Sequence, residues 1–224
     1  MLTAAQIIQR ACAVAKAPGY TVQCGQYLNS LLDDLQQTYD FDYIRKTVIL
    51  PIAAGSNGYT LPEDYLRARE VFYSVNGTIF FLDQMALELY DQLFQGSGIT
   101  SYPTKFATDI AQSPPIMYFY QPPAQSFQVT VRYQPRKDDI VNPQSSSEAP
   151  WFKDSRYLIT KLAADLMQET DDARQDRYFQ RAAEMLSKIM SMDDDDEGYA
   201  RNVKLDPLLF KGGGARKATK NQPL

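Results

Sequence analysis

Chemistry in this chain would have to come from carboxylates, because its 224 residues include no histidine and only two cysteines. Without an imidazole there is no Ser-His-Asp or Cys-His nucleophile, no His-bearing zinc site and no side chain that titrates unperturbed near neutrality. The acids are densest at Asp193, Asp194, Asp195, Asp196 and Glu197, five in a row behind an apolar-rich segment of helical period. Consecutive carboxylates do not converge on one ion, and the run lacks the spaced ligands and central glycine of a calcium loop. Like charges in a row repel and stay solvated, and at a helix C-terminus they oppose the helix dipole. The run therefore reads as the boundary where a folded body ends and an arm begins.

Glu63 with Asp64, Asp138 with Asp139, and Asp171 with Asp172 are the adjacent acid pairs that could serve glycoside hydrolysis. That chemistry needs two carboxyls facing each other across a substrate, whereas neighbours in a turn or strand point apart. Solvated turn acids is the better reading of each pair, and no catalytic residue is assigned. Neither G-x-x-x-x-G-K-[ST] nor G-x-G-x-x-G occurs, so no phosphate-cradling loop is present. The expectation is no cofactor and no metal. Cys12 and Cys24 are too few for a disulfide framework and are not spaced as a C-x-x-C pair, which predicts two buried, reduced thiols.

A formal charge of −4 gives no reason to expect tight wrapping of nucleic acid, and 44% hydrophobic content is ample for a packed core. No apolar run approaches the roughly 18 residues of a membrane helix. Gln6, Gln9 and Arg10 interrupt the N-terminal stretch where an export signal would be apolar, which predicts synthesis in a cytoplasm.

The elements that would position any site alternate in texture. Thr3 and Gln6 have capping-box spacing ahead of Ile7, Ile8, Ala11, Val14 and Ala15, and Pro18-Gly19 ends that helix. Leu28, Leu31, Leu32, Leu35 and Tyr39 mark a second helix, so residues 1–44 read as a helical hairpin. Residues 45–149 are β-rich. Asn76-Gly77 between two apolar runs is a hairpin signal, and Phe127, Val129, Val131 and Tyr133 alternate with polar residues as in a sheet with one wet face. One short helix, with Asp83 as a candidate N-cap, is predicted inside this block. Arg136 to Pro150 reads as a long polar connection back to the helices. Residues 150–196 then form two helices separated by a turn near 168–176, with Trp151 and Phe152 stapling the first against Tyr157 and Asp154 at its positive end. The predicted class is α+β: a helical bundle built from both ends of the sequence, with an inserted β-rich domain.

Residues 197–224 carry a glycine triplet, two prolines and no amphipathic period, which predicts an extended arm. Within it Val203, Leu205, Pro207, Leu208, Leu209 and Phe210 form an apolar cluster without a core of its own. It reads as a docking peptide, or as a segment folded back on its own bundle.

This order of parts, together with "YxLPxDYLR" (Tyr59 to Arg67) and "PWFxxxRYxxxxLAxxL" (Pro150 to Leu166), resembles the head-to-tail adaptor proteins of short-tailed bacteriophages. The resemblance implies a non-enzymatic virion protein, made in the host cytoplasm and present as a ring of twelve copies at the head-to-tail interface. Its implied partners are the portal protein, bound through the Gly198 to Leu224 arm, the tail nozzle or tail tube protein, and neighbouring copies of itself. DNA would pass through the channel without sequence-specific binding, and no membrane is involved. Two other readings of the sequence are a tail-tube or tail-completion ring and a virion-associated cell-wall hydrolase. A free cytoplasmic nucleic-acid binder is a third.

Overall fold

The computed structural model describes residues 1–56, 58–94 and 101–195. The chain divides into two compact units, Met1–Leu186 and Ser187–Leu224. Of the second, the described residues are the C-terminal part of one helix.

In the first unit, α1 (Ala4–Ala15) starts where the Thr3 and Gln6 side chains each accept from the other's backbone N–H, at 3.3 and 3.1 Å. It ends on Lys16 in the left-handed region. A short 3₁₀ turn, Pro18–Tyr20, leads into α2 (Thr21–Thr38). These helices pack with α4 (Ser155–Glu169), so both ends of the sequence do meet in one bundle. Its interior holds Ile7, Ile8, Leu28, Leu158, Leu162 and Leu166, all fully buried, with Ala11, Ala163 and Ala164 allowing close approach. Phe41, just past α2, is also fully buried, with ring centroids of Trp151 at 5.7 Å and Phe152 at 5.4 Å. Phe152 lies 5.4 Å from Tyr157, the Phe152 half of the expected staple, and Asp154, expected near the positive helix end, caps α4 by accepting from the Tyr157 N–H at 2.8 Å. After a turn, α5 runs from Gln175 to Asp195.

Between α2 and α4 the described residues form two four-stranded sheets and one more α-helix. The first sheet has the order β1 (Lys46–Ile52), β8 (Phe127–Pro135), β3 (Tyr65–Val75), β4 (Thr78–Phe81), all antiparallel. The second has the order β2 (Gly58–Thr60), β7 (Ile116–Tyr120), β6 (Lys105–Asp109), β5 (Asp83–Gln84). Leu50, Val71, Val129 and Val131 of the first sheet share one core with Phe106 and Phe119 of the second, making a sandwich. Pro51 is tolerated because β1 is an edge strand. Asn76 and Gly77 both have positive φ, 51° and 81°, as the tight β3–β4 turn requires.

One local expectation is corrected. Asp83 does not cap a helix; with Gln84 it forms β5, paired in parallel with β6. Its N–H donates to the Thr104 carbonyl at 3.1 Å and that of Met85 to the Phe106 carbonyl at 2.8 Å, so the backbone is committed to the sheet. The helix, α3, starts later, at Leu87, and runs to Phe94. Parallel pairing with a strand twenty residues on leaves no local signal.

The polar connection after β8 is tied along α2. Asn29 exchanges hydrogen bonds with the backbone of Ile140 at 3.1 and 3.2 Å, and Gln36 accepts from the Lys137 N–H at 2.8 Å. Gly25 lets this segment approach: a Cβ there would lie 2.9 Å from Pro143 Cγ. The sandwich is joined to the bundle by Arg67, which donates to Asp40 and to the carbonyls of Gln37 and Tyr39, and by the Arg69–Asp42 ion pair.

Candidate interaction surface

The acid pairs are not assembled into a catalytic site. Asp64 accepts from Lys46 at 2.5 Å and from the Tyr133 hydroxyl at 3.0 Å, while Glu63 is exposed. Burial pushes the Asp64 carboxyl up, but Lys46 and Tyr133 outweigh it and hold it below the usual carboxylate range. Asp138 and Asp139 are exposed. Asp172 is held down to about 2 by its hydrogen bonds from Arg174, whose guanidinium donates at 2.6 Å, and Asp171 is exposed. Among the described residues, no group of three or more His, Cys, Asp or Glu side chains is placed to hold a metal. Asp193, Asp194 and Asp195 form the last described turn of α5, while Asp196 and Glu197 lie outside the described residues. So do Val203, Leu205, Pro207, Leu208, Leu209 and Phe210.

Cys12 and Cys24 are free, buried and close neighbours. Burial, and the Cys12 thiol beside it, push Cys24 far above an ordinary thiol, which makes it a poor nucleophile.

A groove of about 560 Å³ between α2 and α4 is lined by Tyr27, Asp34, Lys161, Asp165 and Glu169. The Tyr27 hydroxyl donates to Glu169 at 2.7 Å and Lys161 donates to Asp165 at 2.5 Å. Burial raises the Asp165 carboxyl, Lys161 opposes that and Asp34 adds to it, leaving the group above its ordinary value. Asp165 and Glu169 are thus already engaged by neighbours within the bundle.

The surface that stands out is apolar and lies on the sandwich. Every residue of β4 is exposed, with Ile79 at 56%, Phe80 at 45% and Phe81 at 67%. Register carries this across the whole sheet: Ile49 opposes Thr130, Thr130 opposes Phe72, and Phe72 opposes Phe81. Because Val71 and Tyr73 point into the core, Phe72 and its row point out. Arg132 rides over the Phe72 ring at 5.2 Å and pairs with Glu70 at 2.7 Å, bordering the row. On the second sheet, Ala107 and Tyr118 face away from the core and receive Tyr90 of α3, so α3 covers that sheet's outer side. Leu89 and Leu93 of α3 are then 44% and 39% exposed. Sequence reading missed both patches. Three successive apolar residues, Ile79 to Phe81, were the available signal, since a strand with alternating faces cannot bury all three on one side.

A family model described as SU10 adaptor protein matches residues 2–205. No curated protein matches the chain.

Proposed function

From the premise that this chain belongs to the SU10 adaptor protein family, we propose that it is the head-to-tail adaptor of a short-tailed phage, seated on the portal ring through residues 197–224. The family is one of phage adaptors, structural proteins of the virion, and the match over residues 2–205 is the observation that carries the reading. Twelve copies form a ring that offers the tail a platform and leaves the genome a continuous channel. The role is non-enzymatic: force transmission and sealing need complementary surfaces and no reacting group.

Charge supports a division of labour. Residues 1–195 sum to −7 and residues 196–224 to +3. An acidic body suits a passage along which DNA must slide, because it offers few counter-charges to phosphates. The arm supplies the apolar anchor. Leu208, Leu209 and Phe210 each contribute about 1.5–3 kcal/mol when buried on a partner. Rings of matching symmetry then multiply a weak peptide, because each contact after the first is intramolecular. The acidic run Asp193 to Glu197 marks where body gives way to arm.

The test is light scattering on a sizing column of the full chain, and of a chain ending at Asp196, each mixed with the portal ring of the same phage. The full chain joins the portal in a fixed stoichiometry and the shortened chain does not. Absence of a complex with the full chain refutes the reading.

A further inference from the structure

The sandwich carries two exposed apolar patches on opposite outer sides. One is the outer face of the first sheet, with Ile49, Phe72, Ile79 and Phe81; the other is the ridge of α3, with Leu89 and Leu93 one helical turn apart. The two sheets and their shared core lie between them. We infer that these patches are the two halves of one head-to-tail contact, in which α3 of one copy lies across the first sheet of the next. The inference rests on the ring reading above and gives that ring its body-to-body interface.

Size and shape point to a second copy as the occupant. At roughly 150–250 Å² for a large side chain, Ile49, Ile79 and Phe81 together expose about 350 Å² of apolar surface. A standard interface covers about 800 Å² per partner and is a little over half apolar, so this patch supplies most of the apolar core of one face. A helix ridge on an open sheet face is the packing that α3 already makes with the second sheet of its own chain. Because the contact joins two different patches, each bound copy leaves one of each free, and the series closes only as a ring.

The test uses the full chain carrying Phe81→Cys, Leu89→Cys or both, treated with a short bis-maleimide at rising concentration, alone and with the portal ring. Wild type sets the background from the buried Cys12 and Cys24. The double variant gives a ladder of dimer, trimer and higher species, each single variant stays monomeric, and a mixture of the two singles stops at dimer. Dimers from Phe81→Cys alone would show a two-fold sheet-edge contact and overturn the inference, as would absence of a ladder in both arms. A ring detected by scattering without a ladder also overturns it while leaving the adaptor reading intact. A ladder without any portal complex supports the inference and contradicts the adaptor reading.

Discussion

Replacing Phe41 by alanine should be among the most damaging single changes in the body, and its size follows from geometry. The side chain is fully buried, so the substitution removes about 150 Å² of apolar burial, or ~4 kcal/mol at 25–30 cal/mol per Å². That falls within the roughly 3–5 kcal/mol range for Phe→Ala in cores. Collapse around the gap is restricted, because Tyr39, Tyr43, Trp151 and Phe152 surround the ring from two segments far apart in the sequence. Phe81→Ala is the matched control: a phenylalanine 67% exposed, at which the loss should stay within about 0.5 kcal/mol. In urea titrations followed by circular dichroism, Phe41→Ala lowers the midpoint strongly at unchanged slope, and in thermal scans it lowers Tm by about 8–16 °C, at roughly 2–4 °C per kcal/mol for a domain of this size. Equal effects of the two alanines would refute the assignment of Phe41 to a core and of Phe81 to a free surface.

Three further substitutions probe separate features. Gly25→Ala drives a Cβ to 2.9 Å from Pro143 Cγ, and despite the better helix propensity of alanine it should cost about 1–2 kcal/mol in chemical denaturation, relieved by Pro143→Ala in the same chain. Gln134 is fully buried and neither end of its amide meets a protein partner among the described residues, so Gln134→Met should raise Tm, whereas a fall would reveal a hydrogen-bonding role. Asp165 sits above its ordinary value, so its favourable contribution is complete below the unfolded-state value near 3.9 and is lost as pH rises through the folded-state value. Asp165→Asn should therefore be neutral or stabilising at pH 7, with the gain vanishing toward pH 3 in stability curves against pH; a loss at pH 7 would mean that the Lys161 pairing outweighs desolvation.

Much of this fold was legible wherever a signal is local. Thr3 and Gln6 form the capping box their spacing announces, Asn76-Gly77 turns the hairpin, Asp154 caps α4, and the alternation in β8 places Val129, Val131 and Tyr133 inside. What escaped is non-local. Alternation in β8 and β7 reads the same whether the strands share one sheet or face each other across a core, so the division into two sheets was not visible. Asp83 has the chemistry of a helix cap and is used as a strand because Thr104 and Phe106 offer carbonyls that only the folded chain brings near. The apolar patches were hidden for a related reason: Phe81 and Phe119 are the same residue type in similar strand contexts, and only tertiary placement exposes one and buries the other. The acid run reads as the boundary of the folded body, and its first three aspartates lie in α5, within the residues 150–196 expected to be helical.

The central claim, a structural adaptor between head and tail, is tested most directly by electron microscopy of particles from a phage whose copy of this gene carries an early stop codon. The account predicts heads with assembled portals but without tails, restored to tailed infectious particles when the full chain is supplied in trans. Tailed, infectious virions formed without the protein would contradict it.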